Sequence, residues 1–80
     1  MKIMVEVFIT DIKRKCQAME IVTSMKKAYP KLKVNFDMDE TGLPFPEGHT
    51  VLRVEGEDIY TEQIILMAKK LQLNCEIMEE

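Results

Sequence analysis

The residues able to do chemistry in this chain of 80 are few, and several share one stretch, Thr10-Asp11-Ile12-Lys13-Arg14-Lys15-Cys16-Gln17. It holds three consecutive cations, a carboxylate and one of the two cysteines, the other being Cys75. An alternating apolar run ends here and a helical pattern begins, so backbone N–H groups without helical partners converge on the place. Two chemistries are open to it. Lys13, Arg14 and Lys15 ahead of a helix can hold an anion; they can equally form a solvated basic turn answering Asp39, Glu40 and Glu47, at about 0–1 kcal/mol per pair. Cys16, Cys75 and His49, the only histidine, can supply soft ligands to copper or zinc, or a redox-sensitive pair. Each cysteine also reads as a small buried hydrophobe. Cys16 follows Ile12 by four and precedes Met19 by three, and Cys75 alternates in phase with Leu73 and Ile77.

A second candidate lies between Asp39 and His49, where Gly42, Pro44, Pro46 and Gly48 mark a loop. Leu43 and Phe45 are apolar side chains held among those prolines. They fold back over the end of a small domain or contact a partner. Catalysis is not expected. With one histidine and no carboxylates at a working spacing, a nucleophile, base and orienting group cannot be assembled. A net charge of −3 and Phe8 as the lone aromatic of the central strands exclude nucleic-acid binding by basic patch or base stacking. No segment approaches the ~20 apolar residues of a membrane span, and Lys2 leads into alternation, not into the apolar core of a signal peptide. The cysteines are therefore expected as reduced thiols in a cytoplasm.

The elements that position these residues follow from periodicity. Ile3, Val5, Val7 and Ile9 alternate with Met4, Glu6 and Phe8, a strand with one apolar face and enough bulk on the other to be central. A helix capped by Thr10 or Asp11 presents Ile12, Cys16, Met19, Val22, Met25 and Tyr29 at spacings of three and four, and Pro30 stops it. Leu32, Val34, Phe36 and Met38 form an edge strand with lysines on its wet side. Val51, Leu52 and Val54 form a third strand closed by Gly56. Asp58 or Thr61 starts a second helix with Ile64, Ile65, Ala68 and Leu71 on its buried stripe, and Leu73, Cys75 and Ile77 make the last strand. The order βαββαβ with right-handed crossovers predicts one α+β domain over 1–80. It is a ferredoxin-like sandwich: a four-stranded antiparallel sheet with two helices on one face. This topology brings Asp11–Cys16, Asp39–His49 and Gln72–Cys75 to one end. It leaves an open sheet face, expected to carry Met4, Phe8, Val51 and Met78.

Val7-Phe8-Ile9-Thr10-Asp11-Ile12, Val51-Leu52-Arg53-Val54-Glu55-Gly56 and the run from Asp58-Ile59 through Ile64-Ile65 to Lys69-Lys70 resemble the heavy-metal-associated domain of copper chaperones and metal-pumping ATPases. The resemblance implies the scaffold and, in the family's G-M-x-C-x-x-C loop, a metal held by two cysteines. Here Ile12 stands at the position of the family's buried Met, while the two cysteine positions fall on Arg14 and Gln17. Cys16 is one residue out of register. Gln72 replaces the glycine that usually ends the family's second helix, and the 40–49 loop is longer than the family's turn. The expectation is a non-enzymatic interaction module without a cofactor, binding a protein partner or a second copy through Lys13, Arg14, Lys15, Leu43 and Phe45 or the open sheet face. The alternatives are a copper- or zinc-binding or redox-sensitive protein using Cys16, Cys75 and His49, and a regulatory domain for a small anion or amino acid.

Overall fold

In Thr50–Gly56, Leu52 and Val54 alternate with Arg53 and Glu55, and this alternation settles which way the sheet faces. The computed structural model describes residues 2–38 and 42–78. Its elements are β1 (Met4–Thr10), α1 (Lys15–Ala28), β2 (Lys33–Asp37), β3 (Thr50–Gly56), α2 (Thr61–Lys70) and β4 (Cys75–Ile77). The strands form one antiparallel sheet in the order β2-β3-β1-β4. With the βαββαβ order this is the ferredoxin-like α+β sandwich. α1 packs on β2 and α2, and α2 packs on β4. β1 is central and β2 is an edge, as the patterns predict.

The register pairs Phe8 with Leu52, Glu6 with Val54 and Met4 with Gly56 on the side under the helices. Leu52, Val54 and Phe8 are fully buried there, and Val34 and Leu32 nearly so. The charges Arg53 and Glu55 must then face water, and their partners across the ladder are Val7 and Val5. The face Ile3–Val5–Val7–Ile9 is therefore not the core face of β1. The strand carries apolar residues on both sides, and the charges of its neighbour decide which side stays wet. This corrects the expected open face as well. Phe8 has no exposed surface, and Met4 shares its side of the sheet. Val51 and Met78 remain on the open side.

α1 departs from expectation at its start and in its rotation. Neither Thr10 nor Asp11 caps it; the N-cap is Arg14. The Gln17 side-chain oxygen accepts the backbone N–H groups of Lys13 (3.1 Å) and Arg14 (3.2 Å), satisfying two donors that precede the helix. The buried stripe is Ala18, Ile21, Val22 and Met25. At 100° per residue Cys16 lies ~170° from the centre of that stripe, and it is exposed. Met19 is half-exposed. The reading of Cys16 as a core residue is thus corrected: Ala18, with almost no side chain, lets the helix approach on its own face. Ile12 is buried from the loop before the helix.

α2 begins at Thr61 and buries Ile64 and Ala68, with Ile65 and Leu71 partly covered. It ends in a Schellman motif: Gln72 N–H donates to the Lys69 carbonyl at 2.9 Å and Leu73 N–H to the Ala68 carbonyl at 2.9 Å. Gln72 sits at φ 61°, a left-handed conformation that costs an L-residue with a Cβ roughly 1–2 kcal/mol. Gln72→Gly is expected to stabilise the fold by about 1 kcal/mol, read as a higher urea midpoint at unchanged slope. An unchanged or lower midpoint would contradict the role assigned to this position.

Candidate functional site

The junction end is assembled by side chains that serve the backbone. Thr10 Oγ1 donates to the Thr50 carbonyl at 2.9 Å, and Thr50 Oγ1 donates to the Ile12 carbonyl at 2.8 Å, both buried. The Asp11 carboxylate accepts the Asn74 backbone N–H at 2.8 Å and its side-chain amide at 2.7 Å, and Asp11 N–H donates to the Asn74 carbonyl at 3.3 Å. Asp11–Cys16, the end of the 42–49 segment and Gln72–Cys75 are brought together, as the topology predicts. Residues 39–41 lie outside the described residues, and with them Asp39 and Glu40.

The binding candidates at this end divide. Lys13, Arg14 and Lys15 are all exposed. Among the described residues none of them forms an ion pair; the ion pair present is Arg53–Glu55, 3.2 Å, on the open face. Leu43 is half-exposed while Phe45 is half-buried in a turn over 45–47, closed by Gly48 N–H donating to the Pro44 carbonyl at 3.0 Å. The Phe45–Pro46 bond is cis. His49 is half-buried, with Nδ1 3.0 Å from the Pro46 carbonyl, a contact that requires the proton on Nδ1.

The soft-ligand candidates differ in environment. Cys16 is exposed on α1, and Cys75 is buried opposite Thr10 in the ladder. Burial pushes the Cys75 thiol up to about 11, with smaller contributions from Asp11 and Glu76. A thiol that holds its proton this firmly is a poor nucleophile and a poor ligand at neutral pH. Among the described residues no three His, Cys, Asp or Glu groups gather closely enough to hold a metal ion. No helix among them is long and apolar enough to cross a membrane.

Two features went unforeseen in the sequence. At the far end, a groove of about 670 Å³ is lined by Leu32, Gly56, Glu57, Asp58 and the stacked rings of Tyr29 and Tyr60, 5.6 Å apart. An aromatic just after one helix and another just before the next were the available signal. A Cβ at Gly56 would displace the end of the Leu32 side chain. The other feature is the true composition of the open face. Val5 is 48% and Met78 38% exposed, with Val7, Ile9 and Val51 half-buried beside them. Arg53 and Glu55 flank this stripe on β3, Glu76 opposite Ile9 flanks it on β4, and Lys33, Asn35 and Asp37 lie beyond β3 on β2.

Comparison with known protein families, with curated proteins and with solved structures returned no match.

The two thiols should separate cleanly in labelling. A thiol-specific alkylating reagent at pH 8 is expected to modify Cys16 at the rate of a solvated thiol and Cys75 only after denaturation, read by peptide mass spectrometry. Because the folded state holds the Cys75 proton more tightly than the unfolded chain, its contribution to stability is full below pH ~9 and is lost as pH rises towards 11. Equal labelling of both cysteines in the folded protein would contradict this placement.

Proposed function

We propose that the chain is a non-enzymatic interaction module on a heavy-metal-associated-like scaffold, and that its working surface is the open sheet face. The observation carrying this reading is the stripe Val5, Val7, Ile9, Val51 and Met78, which no element among the described residues covers in a domain whose two helices both lie on the other side. An exposed apolar stripe rimmed by charges has the anatomy of a contact surface, with an apolar centre and a polar rim.

The junction supports the same reading from the opposite direction. Two thiolates would be needed at the positions of Arg14 and Gln17 for the family's metal chemistry. In this chain Arg14 is the N-cap of α1, and the Gln17 side chain closes over the preceding N–H groups. Both positions serve the helix start. Cys16 points to solvent and Cys75 keeps its proton, so the pair does not favour a shared soft ion.

A photo-crosslinking amino acid placed at Val5, with a second variant carrying it at Met19 on the exposed side of α1, tests the proposal in cells that produce the protein natively. The expected outcome is a discrete crosslinked product of defined mass from Val5 and none from Met19. Products from Met19 alone, or from neither position, would contradict the sheet face as the working surface.

A further inference from the structure

We infer that the occupant of the open face is a second copy of this chain, stacked face to face and antiparallel about a two-fold axis that passes between Val5 and Val7. The inference rests on the reading of the open face as a contact surface and adds the identity of the partner. It is carried by a charge pattern that is complementary to itself.

Arg53 and Glu55 stand two residues apart on β3, on the same face, and pair in the ladder with Val7 and Val5 respectively. Within one chain they form the 3.2 Å ion pair. A two-fold axis perpendicular to β1 and midway between the Val5 and Val7 levels exchanges these levels. Val5 of one copy then lies over Val7 of the other, and Arg53 of each copy lies over Glu55 of the other. Two intrachain pairs become a ring of four alternating charges beside a double apolar stripe. The usual rotation of about 30° between stacked sheets displaces β3 by only about 2–3 Å along its length at one strand spacing, within reach of an arginine side chain. A different protein would have to supply this pattern independently. A second copy supplies it by symmetry.

The size of the face sets the expected strength. A seven-residue strand at about 3.3 Å per residue, crossed by four strands about 4.8 Å apart, spans roughly 20 Å by 15–20 Å. Over both copies this is on the order of 700 Å² before side-chain relief, below the ~1,200 Å² at which standard specific interfaces begin and in the range of weak, transient contacts. The dimer should therefore dissociate on dilution in the micromolar range or weaker.

Sedimentation velocity on the purified chain over a thousandfold range of concentration, up to the millimolar range, is the test. The wild type should move from monomer to dimer. Val7→Lys, on the wet face of β1, should weaken association at least tenfold while the thermal melt of the monomer is retained. Arg53→Glu and Glu55→Arg should each weaken it at least tenfold. An equimolar mixture of these two charge variants should recover association as a heterodimer, because one copy presents two acids where the other presents two bases. An ion pair that served only its own chain could not be rescued in this way. A wild type that is monomeric at every concentration, or a mixture no tighter than either variant alone, would overturn the inference. Should the chain be monomeric while Val5 crosslinks to a different protein, the second copy is rejected as occupant and the sheet-face reading stands. No crosslink at Val5, either in cells or with the purified chain at the highest concentration of the sedimentation series, rejects both.

Discussion

Thr10 and Thr50 face one another where β1 and β3 meet, and their two buried hydroxyls fix the register on which the rest of the molecule depends. Each hydroxyl donates to a carbonyl across the junction, so neither residue can shift without stranding a buried polar group. Such a group left unsatisfied costs on the order of 1–3 kcal/mol. A slip of one residue would exchange the two faces of β1, sending Phe8 into water and Val7 towards the helices. The lock also ends the strand: Thr50 bonds the carbonyl of Ile12, which holds the chain extended past Thr10 and delays the first helix to Lys15. Register, core and helix start share one cause.

Periodicity carries most of the architecture. The order of six elements, the central place of β1, the edge position of β2 and the meeting of three segments at one end are all legible in it, while of the two starts open to α2, Asp58 and Thr61, the helix takes Thr61. What periodicity could not decide was the facing of β1, since Ile3, Val5, Val7 and Ile9 on one side compete with Phe8 on the other. The deciding information lay elsewhere, in the charges Arg53 and Glu55 of β3 and in Lys33, Asn35 and Asp37 of β2. It becomes usable only with the pairing register. The rotation of α1 failed for a related reason. Cys16 and Met19 fit a three-and-four spacing as well as Ala18 and Ile21 do, and an alanine gives no apolar signal although it permits the closest approach.

The junction drew attention as a place where backbone donors and cations converge. Four of its polar side chains turn out to be occupied with holding the fold together, while the three cations stay exposed: Asp11 clamps Asn74, Gln17 covers the helix start, and both threonines lock the sheet. The open face presents the opposite situation. Its apolar side chains have no partner element among the described residues, while the Arg53–Glu55 pair beside them has a geometry that a two-fold axis repeats in reverse. On the proposed reading, one alternation does two tasks. It directs Leu52 and Val54 inward to make the core, and it places Arg53 and Glu55 outward to frame the contact.

The most direct measurement of that claim is a dilution series followed by backbone amide resonances of the uniformly ¹⁵N-labelled chain. Concentration-dependent shifts are predicted for Val5, Val7, Val51, Arg53 and Glu55, with Lys13–Lys15 and Leu43–Phe45 unchanged. Shifts confined to the junction end, or none on the sheet at concentrations where the chain self-associates, would contradict the account.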